Sequence, residues 1–208
     1  MSSVLIITGG GAPKDISAIH LNTYSLIIAA DSGIDFAVKH KIDVDIWVGD
    51  FDSTNVAPTK VGEIIQKDHE VKVESDTELA LIVAGERGMK TYTLVGGGGY
   101  RMDHLLQTYA LFFRYGVPEA WHTEYESLYS IVQKRNFTPA INQTVSILPA
   151  LLSGKSVVTA KNLVWPLVEY QLSFNQISLS NRTTAEPLEV WVDGDPIFLC
   201  FPVADTES

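Results

Sequence analysis

From its start to about residue 125, the chain alternates short apolar runs rich in β-branched residues with segments of helical character. The strand-like runs are "VLIITGG", "SLIIAAD", "DIWVGD", "HEVKV" and "TYTLVGG". Between them lie "GIDFAVKHK", "TKVGEIIQK" and "TELALIVAGERG", and "RMDHLLQTYALFFRYG" follows the fifth. Continuous apolar strands joined by helical crossovers predict a parallel sheet buried on both faces. After about residue 126 the helical signals stop, and "SLYSIVQ", "TVSILPAL", "SVVTAKNLVWPLVEYQLSF", "ISLSN" and "LEVWVDGDPIFLCF" all read as strands. In "WVDGDP", Asp193-Gly194 between two apolar runs predicts a hairpin. The expected fold class is α/β: a mostly parallel sheet with helices on both faces over residues 1–126, then an all-β sandwich or barrel over residues 127–208.

Composition narrows the function classes. The chain has 208 residues, is 46% hydrophobic and 19% charged, and carries a formal net charge of -10, with Lys and Arg scattered. It lacks the basic footprint of a nucleic-acid binder. Acidic surroundings favour a small cationic ligand. The single cysteine, Cys200, excludes an internal disulfide and suits a reducing compartment. No apolar stretch is long enough to span a membrane, and "MSSVLIITGG" has no secretion-signal pattern, so a cytoplasmic protein is expected.

In open α/β sheets, ligands bind outside the carboxyl ends of the strands. The same chemistry recurs where the strand-like runs end: "TGGG" at 8–11, "ADSG" at 30–33, "GDFDS" at 49–53, "ESDTE" at 74–78 and "GGGGYRMDH" at 96–104. One such cluster is a turn; five on one edge predict a site. Asp50 and Asp52, two apart in an extended segment, point the same way and repel unless a cation lies between them. Hard divalent cations such as Mg2+ accept such oxygens together with substrate phosphates. The structural alternative is that both aspartates cap a turn. "SDTE" matches a capping box with Ser75 at the N-cap and Glu78 three residues on, which explains Asp76 only in part. Gly96 to Gly99 leave backbone N–H groups free to cradle phosphate, and Arg101 adds a donor fork. Leu105, Tyr109, Phe112 and Phe113 form an expected buried stripe on the following helix, with Asp103 and Gln107 one turn apart on another face. The pattern is neither a dinucleotide fingerprint nor a Walker loop.

Taken in order, these motifs resemble the thiamine pyrophosphokinase (thiamine diphosphokinase) family. "ADSG", "GDFDS", "VESD" at 73–76 and "GYRMDH" at 99–104 match its elements, as do "NLVW" at 162–165 and "SLSN" at 178–181 later in the chain. Ser32 replaces a glycine, Val73 replaces an aspartate, and Gln107 stands where an asparagine is usual. The resemblance implies transfer of a pyrophosphoryl group from ATP to the thiamine hydroxyl, with AMP released. It implies Mg2+ on Asp50, Asp52 and Asp76, with Asp31, Ser53, Thr77, Gly97, Gly98, Gly99, Arg101 and His104 around the nucleotide. Asp103 would orient the thiamine hydroxyl, and Gln107, Trp165, Ser178, Ser180 and Asn181 would contact thiamine. It also implies a homodimer with composite sites. Two other readings fit the residues: a Mg2+-dependent pyrophosphokinase for a different heterocyclic alcohol such as a pterin, and a nucleotide-binding module without turnover.

Overall fold

The computed structural model describes residues 2–52, 54, 61–66, 74–99 and 101–203. They form two compact units: residues 1–108 with 120–125, and residues 109–119 with 126–208.

In the first unit, β1 (Ser3–Ile7), β2 (Leu26–Ala30), β3 (Val44–Gly49), β4 (Val61–Gln66), β5 (Thr91–Val95) and β6 (Ala120–His122) form a sheet in the order β6-β5-β1-β2-β3-β4. Every pairing is parallel. One face packs Leu5, Ile7, Ala29 and Trp47 against Ile34 and Ala37 of α1 (Gly33–Lys39). The alternate residues Val4, Ile6, Ile28, Ala30, Ile46 and Val48 are just as buried, and α2 (Asp76–Glu86) packs on the same three strands. Burial on both faces is why the strands read as unbroken apolar runs. α2 starts as its sequence predicts, with the Ser75 hydroxyl accepting from the Glu78 N–H at 3.3 Å.

Two expectations for this unit need correction or fall outside it. "TKVGEIIQK" is not a helix, because its core is the edge strand β4, paired to β3 through Val44↔Val61 and Trp47↔Ile64. Val61, Ile64 and Ile65 favour a strand, and the segment is too short to be held as a helix by propensity alone. Both carboxylate oxygens of Glu63 also accept from Nη2 of Arg87, at 2.8 and 2.7 Å. The strand expected at "HEVKV" lies outside the described residues, as does Val73.

α3 (Met102–Tyr115) begins in the first unit, and its residues from Tyr109 onward count with the second. Its buried stripe is Thr108, Leu111 and Phe112, whereas Phe113 is 74% exposed, contrary to expectation. Each helical residue turns roughly 100°. With Thr108 at 0°, Leu111 and Phe112 fall at about −60° and 40°, whereas Phe113 falls at about 140° and faces away from the stripe.

The second unit is a sandwich of two antiparallel sheets. One is ordered β12 (Ser178–Arg182), β9 (Thr144–Pro149), β14 (Ile197–Pro202), β7 (Glu126–Ile131). The other is ordered β11 (Leu167–Ser173), β10 (Lys155–Lys161), β13 (Leu188–Gly194), β8 (Lys134–Phe137). Val145, Ile147 and Leu199 of the first sheet meet Val158, Leu172 and Val190 of the second in one core. The turn at Asp193-Gly194 does not close a hairpin, because β13 pairs with β10 and β8 while β14 pairs with β7 and β9. The chain changes sheets there, and the corner is tied back to β10: Ser156 Oγ donates to the Asp195 carbonyl at 2.6 Å, and the Lys155 N–H donates to Asp195 Oδ2 at 3.0 Å. Pro196 has no N–H with which to continue a ladder. Among the described residues, no helix is long and apolar enough to cross a membrane.

Candidate active site

The parallel sheet delivers its polar strand ends to one edge. A cleft of about 330 Å³ there is lined by Thr8, Gly9 and Gly10 after β1, by Asp31 and Ser32 after β2, by Ser75 to Thr77 at the start of α2, and by Gly97 to Gly99, Arg101, His104 and Gln107. The Thr8 and Thr77 hydroxyls share a hydrogen bond of 2.6 Å across it. Gly96 is fixed by geometry, with φ +90° and the Thr8 carbonyl oxygen, just after β1, at 2.2 Å from where a Cβ would stand. Any other residue there would push the glycine loop away from β1.

Asp31, Asp50 and Asp52 each offer a carboxylate oxygen, and these three atoms lie within 4.8 Å of one another. The backbone that achieves this is unusual: Asp31 has φ +45° and Phe51 has φ +66°. Left-handed backbone is tolerable for Asp but costly for a bulky aromatic, and it persists only where the surroundings enforce it. Trp47 supplies that enforcement. Its indole N–H donates to the Asp31 carbonyl at 3.0 Å, and its ring lies 4.0 Å from that of Phe51. An oxygen-only donor set of three carboxylates fits a hard divalent cation. The capping reading of Asp50 also holds in part, since its Oδ1 accepts from the Asp52 N–H at 3.4 Å. Asp76 is not a member of this group of three, although its Oδ1 stands 3.2 Å from the position of a Cβ on Gly49.

Arg101 and Asp103 form a two-pronged pair, Nε to Oδ1 at 3.1 Å and Nη2 to Oδ2 at 2.5 Å, with both side chains largely exposed. The guanidinium hydrogen bond holds the Asp103 carboxyl down at about 2, and the carboxylate in turn raises Arg101. Both oxygens of Asp103 are thus engaged before any substrate arrives.

The first unit therefore brings Asp31, Asp76, Thr77, Gly97, Gly98, Gly99, Arg101, His104 and Gln107 to one cleft, with Asp50 and Asp52 joined to it through Asp31. Ser53 lies outside the described residues. Trp165, Ser178, Ser180 and Asn181 belong to the second unit. Trp165 is 57% exposed, and buried Asn181 secures its backbone: the Trp165 N–H donates to Asn181 Oδ1 at 3.2 Å, and Asn181 Nδ2 donates to the Trp165 carbonyl at 2.7 Å. Asn181 Oδ1 also accepts from the Arg182 N–H at 2.9 Å, so this amide positions Trp165. Ser180 adopts φ +52°, and its N–H donates to Ser146 Oγ at 3.0 Å.

Sequence reasoning placed Asp31 with the nucleotide and did not group it with Asp50 and Asp52. It also drew no site residue from "TGGG", although Thr8, Gly9 and Gly10 line the cleft. Their position at a strand end was the available signal.

Residues 19–122, which are 104 of the 208, match the model of the thiamin pyrophosphokinase catalytic domain. No curated protein matches the sequence. Among solved structures, thiamine pyrophosphokinase from Bacillus subtilis is similar over 97% of this chain and 99% of its own, with TM-score 0.78 and 18% identity. A thiamin pyrophosphokinase family protein from Enterococcus faecalis is similar over 99% and 100%, with TM-score 0.76 and 20% identity. Thiamin pyrophosphokinase from Candida albicans is similar over 97% and 89%, with TM-score 0.72 and 16% identity. At these identities the likeness is one of fold. The match to the catalytic-domain model spans β2 to β6 and the three grouped aspartates, and it identifies the chain as a member of the thiamin pyrophosphokinase family.

Proposed function

We propose that the protein transfers the terminal pyrophosphoryl group of ATP to the hydroxyl of thiamine. The alcohol oxygen bonds to the β-phosphorus, the bond from that phosphorus to the α–β bridging oxygen breaks, and AMP leaves with the bridging oxygen; the hydroxyl proton is released. The observation that carries this reading is the group Asp31, Asp50 and Asp52, with oxygens within 4.8 Å, beside a glycine-walled cleft.

Phosphoryl-type transfer requires positioning and neutralisation of spreading negative charge. Asp50 and Asp52, with Asp31 beside them and Asp76 close by, would hold Mg2+. When bound there, the ion would supply neutralisation of phosphate charge and Lewis-acid polarisation. The N–H groups of Gly96 and Gly97 are taken by the His122 and Gly9 carbonyls at 2.9 and 2.8 Å, so it is those of Gly98 and Gly99, with the Arg101 fork, that would bind oxygens of the transferred group. Once Arg101 turns to phosphate, Asp103 is released to orient the alcohol and accept its proton.

Trp165 suits the aromatic, cationic acceptor by stacking and cation–π attraction. We place it in the site of the opposite subunit of a homodimer. The same unit also exposes Val168, Phe174 and Leu179, at 76%, 57% and 61%, apolar surface that association with a second copy would cover. The expected compartment is the cytoplasm.

Thermal stabilisation tests the acceptor. With Mg2+ and an unreactive ATP analogue present, thiamine should raise Tm further and a pterin alcohol should not; the opposite ranking would overturn the thiamine assignment.

A further inference from the structure

Among the described residues, Trp121 on β6 is the largest side chain to be fully buried, at 2% exposure. Its indole N–H donates to the Gly96 carbonyl at 2.7 Å. Gly96 opens the glycine loop that walls the cleft, whereas Trp121 is not itself among the lining residues. Resting on the pyrophosphoryl-transfer reading, we propose that Trp121 is a positioning residue: its indole N–H sets the Gly96–Gly97 peptide and so presents Gly98 and Gly99 to the phosphates of the donor.

The bond continues a ladder that the backbone alone cannot finish. β5 and β6 pair through Thr93↔Ala120, Leu94↔Trp121 and Val95↔His122, and β6 then ends. The Gly96 N–H takes the last β6 carbonyl, that of His122, at 2.9 Å. The next group outward is the Gly96 carbonyl, and a side chain, the Trp121 indole, meets it in place of a strand. A trans peptide holds its C=O and N–H in opposite directions. With the Gly96 carbonyl on Trp121, the Gly97 N–H must therefore point the other way, where it donates to the Gly9 carbonyl at 2.8 Å. One peptide is thus clamped at both ends, between β6 and the turn after β1.

The loop needs such a clamp because it has no side chains of its own. Gly96, Gly97 and Gly99 have φ of +90°, +70° and +75°, and glycine reaches many other conformations at little cost. Order has to come from outside. The Gly98 carbonyl accepts from the Gly11 N–H at 2.6 Å, which by the same peptide geometry turns the Gly99 N–H away from the β1 turn. Thr123 closes the side of Gly98, its Cβ standing 2.5 Å from the position of a Cβ there, and the Glu124 N–H donates to the Gly11 carbonyl at 3.1 Å. Each residue from Trp121 to Glu124 therefore touches one of the two glycine turns. Trp121 alone among them does so with a side-chain donor, so its bond can be deleted without touching the backbone.

The test removes that donor and keeps the rings. Benzothienylalanine, placed at position 121 alone, carries sulfur where the indole has N–H, and calorimetry with Mg2+ and inorganic tripolyphosphate reads the loop without the acceptor. Tripolyphosphate affinity should fall about fivefold, the scale of one net hydrogen bond. kcat should fall at least as far, with the KM for thiamine unchanged. Trp121→Phe also opens a void, so it should lower Tm further while showing the same split between the two substrates. A purely structural bond would lower Tm in both variants and leave tripolyphosphate affinity and kcat at wild-type values. That result, or a change confined to the KM for thiamine, would overturn the role of Trp121 while thiamine diphosphate formation by the wild type upheld the reaction. Weakened tripolyphosphate binding in the isostere, with no thiamine diphosphate from the wild type, would uphold Trp121 as the clamp of a phosphate loop and overturn the reaction. Absence of tripolyphosphate binding by the wild type would overturn the phosphate loop and the role of Trp121 with it.

Discussion

The indole N–H of Trp47 donates to the main-chain carbonyl of Asp31 at 3.0 Å. This bond joins β3 to the turn after β2 and fixes an aspartate whose φ is +45°. Trp47→Phe keeps the ring against Phe51 and deletes the donor. Loss of one buried hydrogen bond should cost about 1 kcal/mol, read as a lower urea midpoint with unchanged m. The Mg2+ concentration for half activity should also rise several-fold. A stability loss with unchanged Mg2+ dependence would show that Asp31 keeps its place without Trp47.

Asp52→Asn should remain folded, because Asp52 is exposed, and should lose on the order of a hundredfold or more in kcat through weakened transition-state stabilisation. Asp31→Asn should raise the Mg2+ requirement more than Asp76→Asn, since Asp31 belongs to the group of three and Asp76 does not. The reverse order in a Mg2+ titration would shift the metal towards α2.

Much of this site was readable beforehand, for a physical reason. Strands buried on both faces must be continuously apolar, so β1, β2, β3 and β5 announce themselves, and the polar residues just beyond them have only one edge to occupy. β4 escaped because an edge strand with Gly62, Glu63 and Ile64 exposed carries neither periodicity. Asp193-Gly194 signalled a turn, but a turn residue does not encode which sheet the next strand joins. The place of Asp31 beside Asp50 depends on left-handed backbone at a non-glycine residue, which no spacing rule reveals. The family resemblance makes Asn181 a ligand contact, whereas in the fold both ends of its amide hold the backbone of Trp165 or Arg182.

The Arg101 hydrogen bond lowers the Asp103 carboxyl to about 2 from an ordinary 3.8. Because the folded value is depressed, the pair's stabilisation is complete above the unfolded value and is lost as pH falls from about 4 towards 2. Carboxyl NMR should show Asp103 titrating near 2 in the free protein. Addition of a nucleotide analogue should move it upward, because the guanidinium departs and phosphate charge arrives. An unchanged titration in the bound state would mean that Arg101 never leaves Asp103.

A composite dimer predicts complementation. Asp52→Asn disables the phosphate-handling part and Trp165→Ala the proposed acceptor wall, so each variant alone should be nearly inactive. Mixing them with subunit exchange should restore one cleft of the two, because one site then combines two intact parts. Exchange demonstrated by tagged-subunit pull-down, with activity no higher than that of the separate variants, would place Trp165 in its own subunit's site or in none.

The central claim is the group transferred, and mass detection of products from purified protein with ATP, Mg2+ and thiamine measures it directly. Pyrophosphoryl transfer predicts thiamine diphosphate and AMP in equal amounts, both abolished by chelation and sharply reduced in Asp52→Asn. Thiamine monophosphate with ADP, or tight ATP binding with neither product, would contradict it.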